Sequence, residues 1–147
     1  MIVLLDAGPL GMITNPKSAP ENEECKDWVA SIVVKGIEVI IPEIADYEVR
    51  RELLRANRFR GLERLDALKG TLEYAPITTL VMLQAAEFWA AARNMGRQSA
   101  SDASLDADMI LAAQAALLGR DGETIIATTN VRHLALFSPA RLWREIG

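Results

Sequence analysis

Three short, largely apolar runs, separated by segments of helical periodicity, constrain the fold more than any other feature of this sequence. They occupy residues 2–5, 37–41 and 124–128. Strands of four or five apolar residues that alternate with helices are typical of a parallel sheet covered on both faces. The pattern therefore predicts an α/β fold, a three-layer α/β/α sandwich with a central parallel sheet of four to five short strands. With 147 residues and no linker or repeat, we expect residues 1–147 to form a single domain.

Turn and cap signals locate the other elements. Prolines predict helix starts and glycines predict helix ends. The predicted helices are 20–36, one beginning at 42, 61–69, one from a cap at Thr78 or Thr79 to about 95, and 105–118. Residues 72–75 are predicted as an edge-like strand and 139–143 as a last short helix. The sequence identifies no helix between the first strand, closed by Gly8 and Pro9, and a loop at 15–20.

Net charge and cysteine content limit the classes of function. The net charge of −4 supplies no global field for nucleic acid or an acidic membrane surface, so RNA binding would need a metal ion or a local basic patch. The one cysteine, Cys25, excludes an internal disulfide and suits a reducing compartment. No signal-peptide pattern and no run of about 20 apolar residues is present, so we expect a cytoplasmic protein with no membrane segment.

Acidic residues follow the first two predicted strands, at the sheet edge where open α/β folds bind ligands. Asp6 leaves the first strand and fits equally well as a turn former or as a ligand. In the next helix Glu48 lies within the apolar face, where a carboxylate has to be neutralised, paired or bound to a cation. Glu52 shares that face, and Glu48 is preferred only because it is nearer the strand end. Glu43 falls on the opposite side and Asp46 at the margin.

Two further segments carry polar residues toward the same edge. Asp106 and Asp108 are two positions apart and point in nearly opposite directions on a helix, so only one readily faces a given site. An acid in a first helical turn also complements the helix dipole without any further function. Asp102 is expected in the preceding loop. The last strand ends in Thr128 and Asn130, of which the asparagine alone would be an ordinary turn residue.

These motifs resemble the PIN-domain family, and specifically the VapC-type toxins of bacterial toxin–antitoxin pairs. The likeness covers nearly the whole chain in the order LLDAGPL, IIPEIADYEVRREL, DADMILAAQA and ATTNVRHLALF. The resemblance matches the family's acids to Asp6, Glu48 and Asp108, and selects Asp108 over Asp106. It matches the T-x-N segment to residues 128–130, with His133 where the family often has an acid.

The resemblance implies a metal-dependent endoribonuclease, the toxin of a toxin–antitoxin pair, that hydrolyses RNA phosphodiester bonds with metal-activated water. Oxygen ligands of this kind select Mg²⁺ or Mn²⁺. The implied catalytic residues are Asp6, Glu48, Asp108 and Asn130, of which the three acids bind the metal. The residues implied to order ligands or substrate are Thr128, His133 and Asp106. Because Asn130 and His133 replace acids, the resemblance also admits a single metal ion or weak activity, and His133 as an acid or base for the leaving group.

Basic residues concentrate directly after Glu48. Arg50, Arg51 and Arg55 are candidate contacts to RNA or to a protein partner, and Arg58, Arg60, Arg64 and Lys69 extend the stretch. A solvated helix face, with Glu52, Glu63 and Asp66 nearby, explains the same residues equally well. The resemblance implies two protein partners, a cognate antitoxin and a second copy of the chain in a homodimer. Contact with one of these partners is a third interpretation of the basic residues.

Two other functions compete with the nuclease. A PIN-like module that has lost cleavage and serves in binding or assembly is favoured by the missing fourth acid. A haloacid-dehalogenase-like phosphatase on a similar sheet would carry a second aspartate two positions after the first. Glycine occupies that position here, at Gly8, which argues against the phosphatase.

Overall fold

A five-stranded, all-parallel sheet forms the centre of the computed structural model, which describes residues 1–96, 101–119 and 123–147. The strands are β1 (Ile2–Leu5), β2 (Glu38–Pro42), β3 (Glu73–Ala75), β4 (Thr124–Thr128) and β5 (Ala140–Leu142). Their order in the sheet is β3-β2-β1-β4-β5. The chain therefore builds outward from β1 in both directions, and the order reverses between β1 and β4. Ligands bind at such a reversal point in open α/β sheets.

Helices cover both faces of the sheet, as the three-layer prediction requires. The described α-helices are α1 (Ala7–Thr14), α2 (Pro20–Val34), α3 (Glu43–Arg55), α4 (Phe59–Lys69), α5 (Thr79–Asn94) and α6 (Asp102–Leu118). Val3 and Leu5 of β1 belong to one buried core, whereas Leu4 belongs to a second core that includes Leu111 of α6. Because successive strand residues face opposite cores, both faces are buried and the strand reads as a continuous apolar run. Within the described ranges, no helix is long and apolar enough to span a membrane.

Helix α1 was not predicted, and it places the first aspartate directly at a helix start. Asp6 is the N-cap residue, and its Oδ1 accepts a hydrogen bond from the Ala7 N–H at 2.7 Å. Pro9 lies in the first turn, where a proline is tolerated because its missing N–H would have no partner inside the helix. The sequence Gly8-Pro9 is therefore part of a helix rather than only the end of the strand.

The prediction for the C-terminal segment was also wrong. Residues 139–143 do not form a helix, because β5 (Ala140–Leu142) pairs in parallel with β4 and a 3₁₀ helix, Trp143–Glu145, follows. The backbone groups of β4 would otherwise be left without partners on that side, and the Ile126 N–H donates to the Pro139 carbonyl at 2.9 Å. Helix α6 begins earlier than predicted, at Asp102, because the Ser101 hydroxyl caps it.

Candidate active site

The carboxylate of Asp6 is held at the end of β1 by two hydrogen bonds. Its Oδ1 accepts from the Ala7 N–H, and its Oδ2 accepts from the Thr128 hydroxyl at 2.7 Å. Asp6 is half-buried, whereas Thr128 is fully buried at the end of the neighbouring strand β4. Helix capping and a role in a site are therefore compatible, since a carboxylate has about four lone-pair positions and the cap uses one of them.

The T-x-N segment turns the chain immediately after β4. The Thr128 hydroxyl accepts a hydrogen bond from the Asn130 N–H at 3.0 Å, the local turn that threonine commonly makes. The Asn130 residue is exposed, and His133 lies half-buried in the following 3₁₀ helix, Arg132–Leu136. The backbone of Asn130 therefore supports the hydroxyl that orients Asp6.

Glu48 occupies the inward face of α3, and its environment favours the protonated carboxyl. Its side chain is 23% exposed, compared with 60% for Glu52 one turn later. The pKa of Glu48 is raised to about 7, mainly by burial and also by the charges of Asp6 and Asp108, which Arg51 partly opposes. Asp6 at the end of β1 and Asp108 on α6 are thus each close enough to Glu48 on α3 to act on it electrostatically.

The two aspartates of α6 have different surroundings. Asp108 is half-buried and its charge acts on Glu48. Asp106 is exposed and lines a separate groove with Met82 and Trp89, between α5 and α6. Both lie in the second turn of α6 rather than at its start, so neither caps the helix. Because the two side chains project in opposite directions, Asp108 acts electrostatically on Glu48, whereas Asp106 lies in the groove between α5 and α6.

The carboxylates of Asp6, Glu48 and Asp108 are suitable ligands for a hard divalent cation, although they do not lie close enough together to share one. Carboxylate oxygens with no cysteine or histidine among them are typical of Mg²⁺ and Mn²⁺ sites. Across residues 1–96, 101–119 and 123–147, no group of three or more His, Cys, Asp or Glu side chains lies close enough to hold a metal ion. Asp6, Glu48 and Asp108 would therefore have to approach one another to share an ion.

Two of the three arginines singled out on α3 are held by acids. Arg50 binds Asp46 at 2.9 Å and Asp66 at 2.8 Å. Arg55 donates to Glu52 from Nε at 3.0 Å and from Nη2 at 2.8 Å. Arg51 differs, because its nearest carboxylate oxygen, on Glu48, is 3.9 Å away. The exposed Arg55–Glu52 pair matches the solvated-face interpretation, whereas Arg50 pairs with the buried Asp46 as well as with the exposed Asp66.

Asp46 is a buried charged residue whose importance sequence reasoning missed. The residue is 4% exposed and accepts hydrogen bonds from Arg50, from Lys69 Nζ at 3.1 Å and from the Tyr74 hydroxyl at 3.1 Å. Burial raises the pKa of Asp46, but the hydrogen bonds from Lys69 and Arg50 outweigh it and lower the pKa below its usual value. Only the spacing of Asp46 and Arg50, four residues apart on one helix, signalled this cluster in the sequence.

A groove of about 540 Å³ opens beside Glu48, between α1 and α3. Small residues of α1, Ala7, Gly8 and Gly11, form one wall, and Val49 and Leu53 of α3 belong to the other. The groove therefore presents an apolar surface next to Glu48.

The complete chain resembles chains of several solved VapBC structures. It aligns with VapBC2 from Rickettsia felis, bound to a DNA fragment from its promoter, at a TM-score of 0.73 and 14% identity, over 97% of this chain and 99% of that chain. The chain has a PIN-like fold. VapBC-1 from nontypeable Haemophilus influenzae gives a TM-score of 0.66 at 14% identity, over 99% of this chain and 100% of that chain.

DNA-bound VapBC from Salmonella typhimurium gives a TM-score of 0.61 at 15% identity, over 97% of this chain and 98% of that chain. No family model and no curated protein sequence matches the chain. The resemblance drawn from four short motifs is thus confirmed as a structural likeness over the whole length. At these identities the likeness establishes the fold.

Proposed function

We propose that this protein is a Mg²⁺- or Mn²⁺-dependent endoribonuclease and the toxin of a toxin–antitoxin pair. The observation that carries the proposal is the action of Asp6 and Asp108 on Glu48, at the carboxyl edge of a PIN-like parallel sheet. Carboxylates that repel one another at a ligand-binding edge are stabilised by a divalent cation. The order of these residues along the chain also matches the family motifs.

The chain's own residues would hold and orient the reacting groups. A bound divalent ion would activate water and stabilise charge on the phosphate. Asp6, Glu48 and Asp108 would hold it, and Glu48 would have to lose its proton to do so. Thr128 would fix the orientation of Asp6, since its hydroxyl donates to that carboxylate. The exposed Asn130 would contact the substrate.

The proposed partners are RNA as substrate and a cognate antitoxin protein, with a second copy of the chain in a homodimer. The likeness to three VapBC structures supports an antitoxin partner. The apolar groove beside Glu48 would suit a protein segment that blocks access to the acids.

A catalytically weak or inactive PIN-like module is the second candidate. The specific observation in its favour is the T-x-N segment, where Asn130 is exposed and His133 replaces an acid. A phosphatase is disfavoured by packing as well as by sequence. A Cβ atom at Gly8 would lie 2.7 Å from Thr129 Oγ1, so an aspartate side chain would have no room there unless Thr129 moved.

The test compares two aspartates on one helix. Mn²⁺ binding is measured by calorimetry, and Mn²⁺-dependent cleavage of RNA is measured in parallel, for the wild type, Asp108→Asn and Asp106→Asn. We expect Asp108→Asn to lose cleavage and weaken Mn²⁺ binding, and the exposed Asp106→Asn to retain both. No Mn²⁺-dependent cleavage by the wild type, or equal behaviour of the two variants, would contradict the proposal.

A further inference from the structure

We propose that Tyr47 and Arg51 form a nucleotide-binding subsite next to the acids. In this subsite the Tyr47 ring stacks on a base of single-stranded RNA and the Arg51 guanidinium binds a neighbouring phosphate. The assignment rests on the proposed ribonuclease function. It adds two residues of α3 that would bind the substrate next to Glu48.

The two side chains and Glu48 form a row on α3. Tyr47 and Arg51 are one helical turn apart, and the guanidinium carbon of Arg51 lies 5.1 Å from the centroid of the Tyr47 ring. Arg51 Nη2 also lies 3.9 Å from Glu48 Oε2. The guanidinium is thus close to both an aromatic ring and an acid of the candidate site. A strand whose phosphate meets the acids would pass Arg51 and then Tyr47.

Among the arginines of α3, Arg51 is the one that could bind a ligand without losing a hydrogen bond to a carboxylate of the described residues. Arg50 and Arg55 both donate hydrogen bonds to carboxylates, whereas Arg51 makes none to a carboxylate within the described residues. Its side chain is 52% exposed. A guanidinium with most of its five donors free, beside a site for phosphodiester chemistry, is suited to bind a phosphate.

The Tyr47 ring contacts the Arg51 guanidinium, but unlike Tyr74 it is not part of a hydrogen-bonded cluster. The Tyr74 hydroxyl donates to Asp46 and Glu43 inside the hydrogen-bonded cluster. The Tyr47 residue is 56% exposed, and its hydroxyl has no hydrogen bond to any described residue. An exposed aromatic ring next to an arginine is the usual platform for an unpaired base.

The space beside Tyr47 is large enough for a base. An open groove of about 620 Å³ runs along the ring, between α3 and the start of α5. Its lining combines apolar with charged side chains, Ile44, Ile77, Met82, Glu43, Asp46, Arg50 and Lys69. A base stacked on Tyr47 would therefore have both apolar and hydrogen-bonding groups at its edge.

The row favours RNA over a protein partner because Arg51 lies close to an acid of the candidate site. Arg51 Nη2 is 3.9 Å from Glu48 Oε2, so a phosphate bound by Arg51 would lie next to that acid. A protein contact would instead draw on the larger exposed apolar side chains further along, such as Leu54 and Phe59.

The experiment measures binding separately from cleavage. A fluorescein-labelled single-stranded RNA is titrated by anisotropy in EDTA, because a nuclease whose attacking water is activated by a divalent ion cannot cleave the RNA there. We expect Tyr47→Ala to weaken binding about tenfold and Tyr47→Phe to bind like the wild type. We expect Arg51→Gln to weaken binding about tenfold and to lower the salt dependence by about one phosphate contact.

Matched controls are available on the same surface. Arg55→Gln removes an arginine already held by Glu52, and Phe59→Ala removes an exposed aromatic residue on α4. Both should bind RNA like the wild type. Circular dichroism checks that each variant is folded, and light scattering measures its oligomeric state.

The outcomes separate this subsite from the proposed function. If the wild type cleaves RNA with Mn²⁺ but Tyr47→Ala and Arg51→Gln bind RNA unchanged, the subsite is wrong and the nuclease stands. If these variants weaken binding while the wild type cleaves nothing, the nuclease is wrong and the subsite stands. A change in oligomeric state with RNA binding unchanged would assign the row to a protein interface and overturn the subsite.

Discussion

The hydroxyl of Thr128 lies 2.7 Å from Oδ2 of Asp6, so the ends of the neighbouring strands β1 and β4 are joined by a side-chain hydrogen bond. The bond lies where the strand order reverses, the position at which a parallel sheet presents its ligands. It links the first motif of the chain to the last, across 122 positions. The orientation of the first acid therefore depends on a residue at the other end of the sequence.

Replacing this hydroxyl should impair activity more than folding. Thr128→Val keeps the shape of the buried side chain but removes the bond to Asp6. We expect Mn²⁺-dependent cleavage to fall about 10- to 100-fold, as for other residues that orient metal ligands. Thr128→Ser keeps the hydroxyl and should retain most of the activity. Equal loss in both variants, measured in cleavage assays with unfolding curves, would show that packing rather than the hydroxyl matters.

Glu48 should destabilise the metal-free protein at neutral and alkaline pH. The folded protein keeps the proton of Glu48 up to about pH 7, whereas the unfolded chain loses it near the ordinary value of 4.5. Stability should therefore fall as pH rises between these values. Glu48→Gln, in EDTA, should raise the free energy of unfolding by about 3 kcal/mol at pH 8 and by little at pH 4. Denaturant unfolding at both pH values tests this, and an equal effect at both would contradict it.

Asp46 should have the opposite pH dependence. Its pKa is lowered in the folded protein, so its contribution to stability is present at neutral pH and is lost as pH falls below about 3.8. Asp46→Asn leaves Lys69 without its acid and should cost about 3 kcal/mol at pH 7, and less at pH 3. Asp66→Asn, on an exposed partner of Arg50, is the control and should cost about 0.5 kcal/mol.

Gly8 should be required by the close approach of α1 to the end of β4. A Cβ atom there would lie 2.7 Å from Thr129 Oγ1 and 2.8 Å from Thr129 Cγ2. Gly8→Ala should cost about 1 kcal/mol, since the crowding exceeds the gain in helix propensity. In a Thr129→Ala background, which removes both atoms, the same substitution should be neutral or stabilising. A double-mutant cycle of unfolding free energies measures this coupling, and additive effects would contradict it.

The parallel sheet could be predicted because its strands are buried on both faces. A strand such as β1, which alternates Val3 and Leu4 between two cores, has to be apolar at every position, and that run is visible locally. Helix α1 could not be predicted in the same way. Its start depends on the Asp6 cap, and the local sequence Asp-Ala-Gly-Pro is equally compatible with a turn.

The same limit applied to β5, whose three residues form a strand only because β4 offers an unpaired edge. Such an edge is a property of the assembled sheet and leaves no periodic pattern in residues 140–142. Asp46 was placed at the margin of its helix for a related reason. Its burial comes from Lys69 on α4 and Tyr74 on β3, which no projection of α3 alone includes.

The sequence by itself determined the α/β class, the parallel sheet and the candidate acids, because short buried strands and strand-end polar residues are local patterns. Only the tertiary structure decided how those residues relate to one another. It separated Glu48 from Glu52 by burial and Asp108 from Asp106 by direction, and it joined Asp6 to Thr128. The physical reason is that charge interactions and burial depend on distances in space, between segments more than a hundred residues apart.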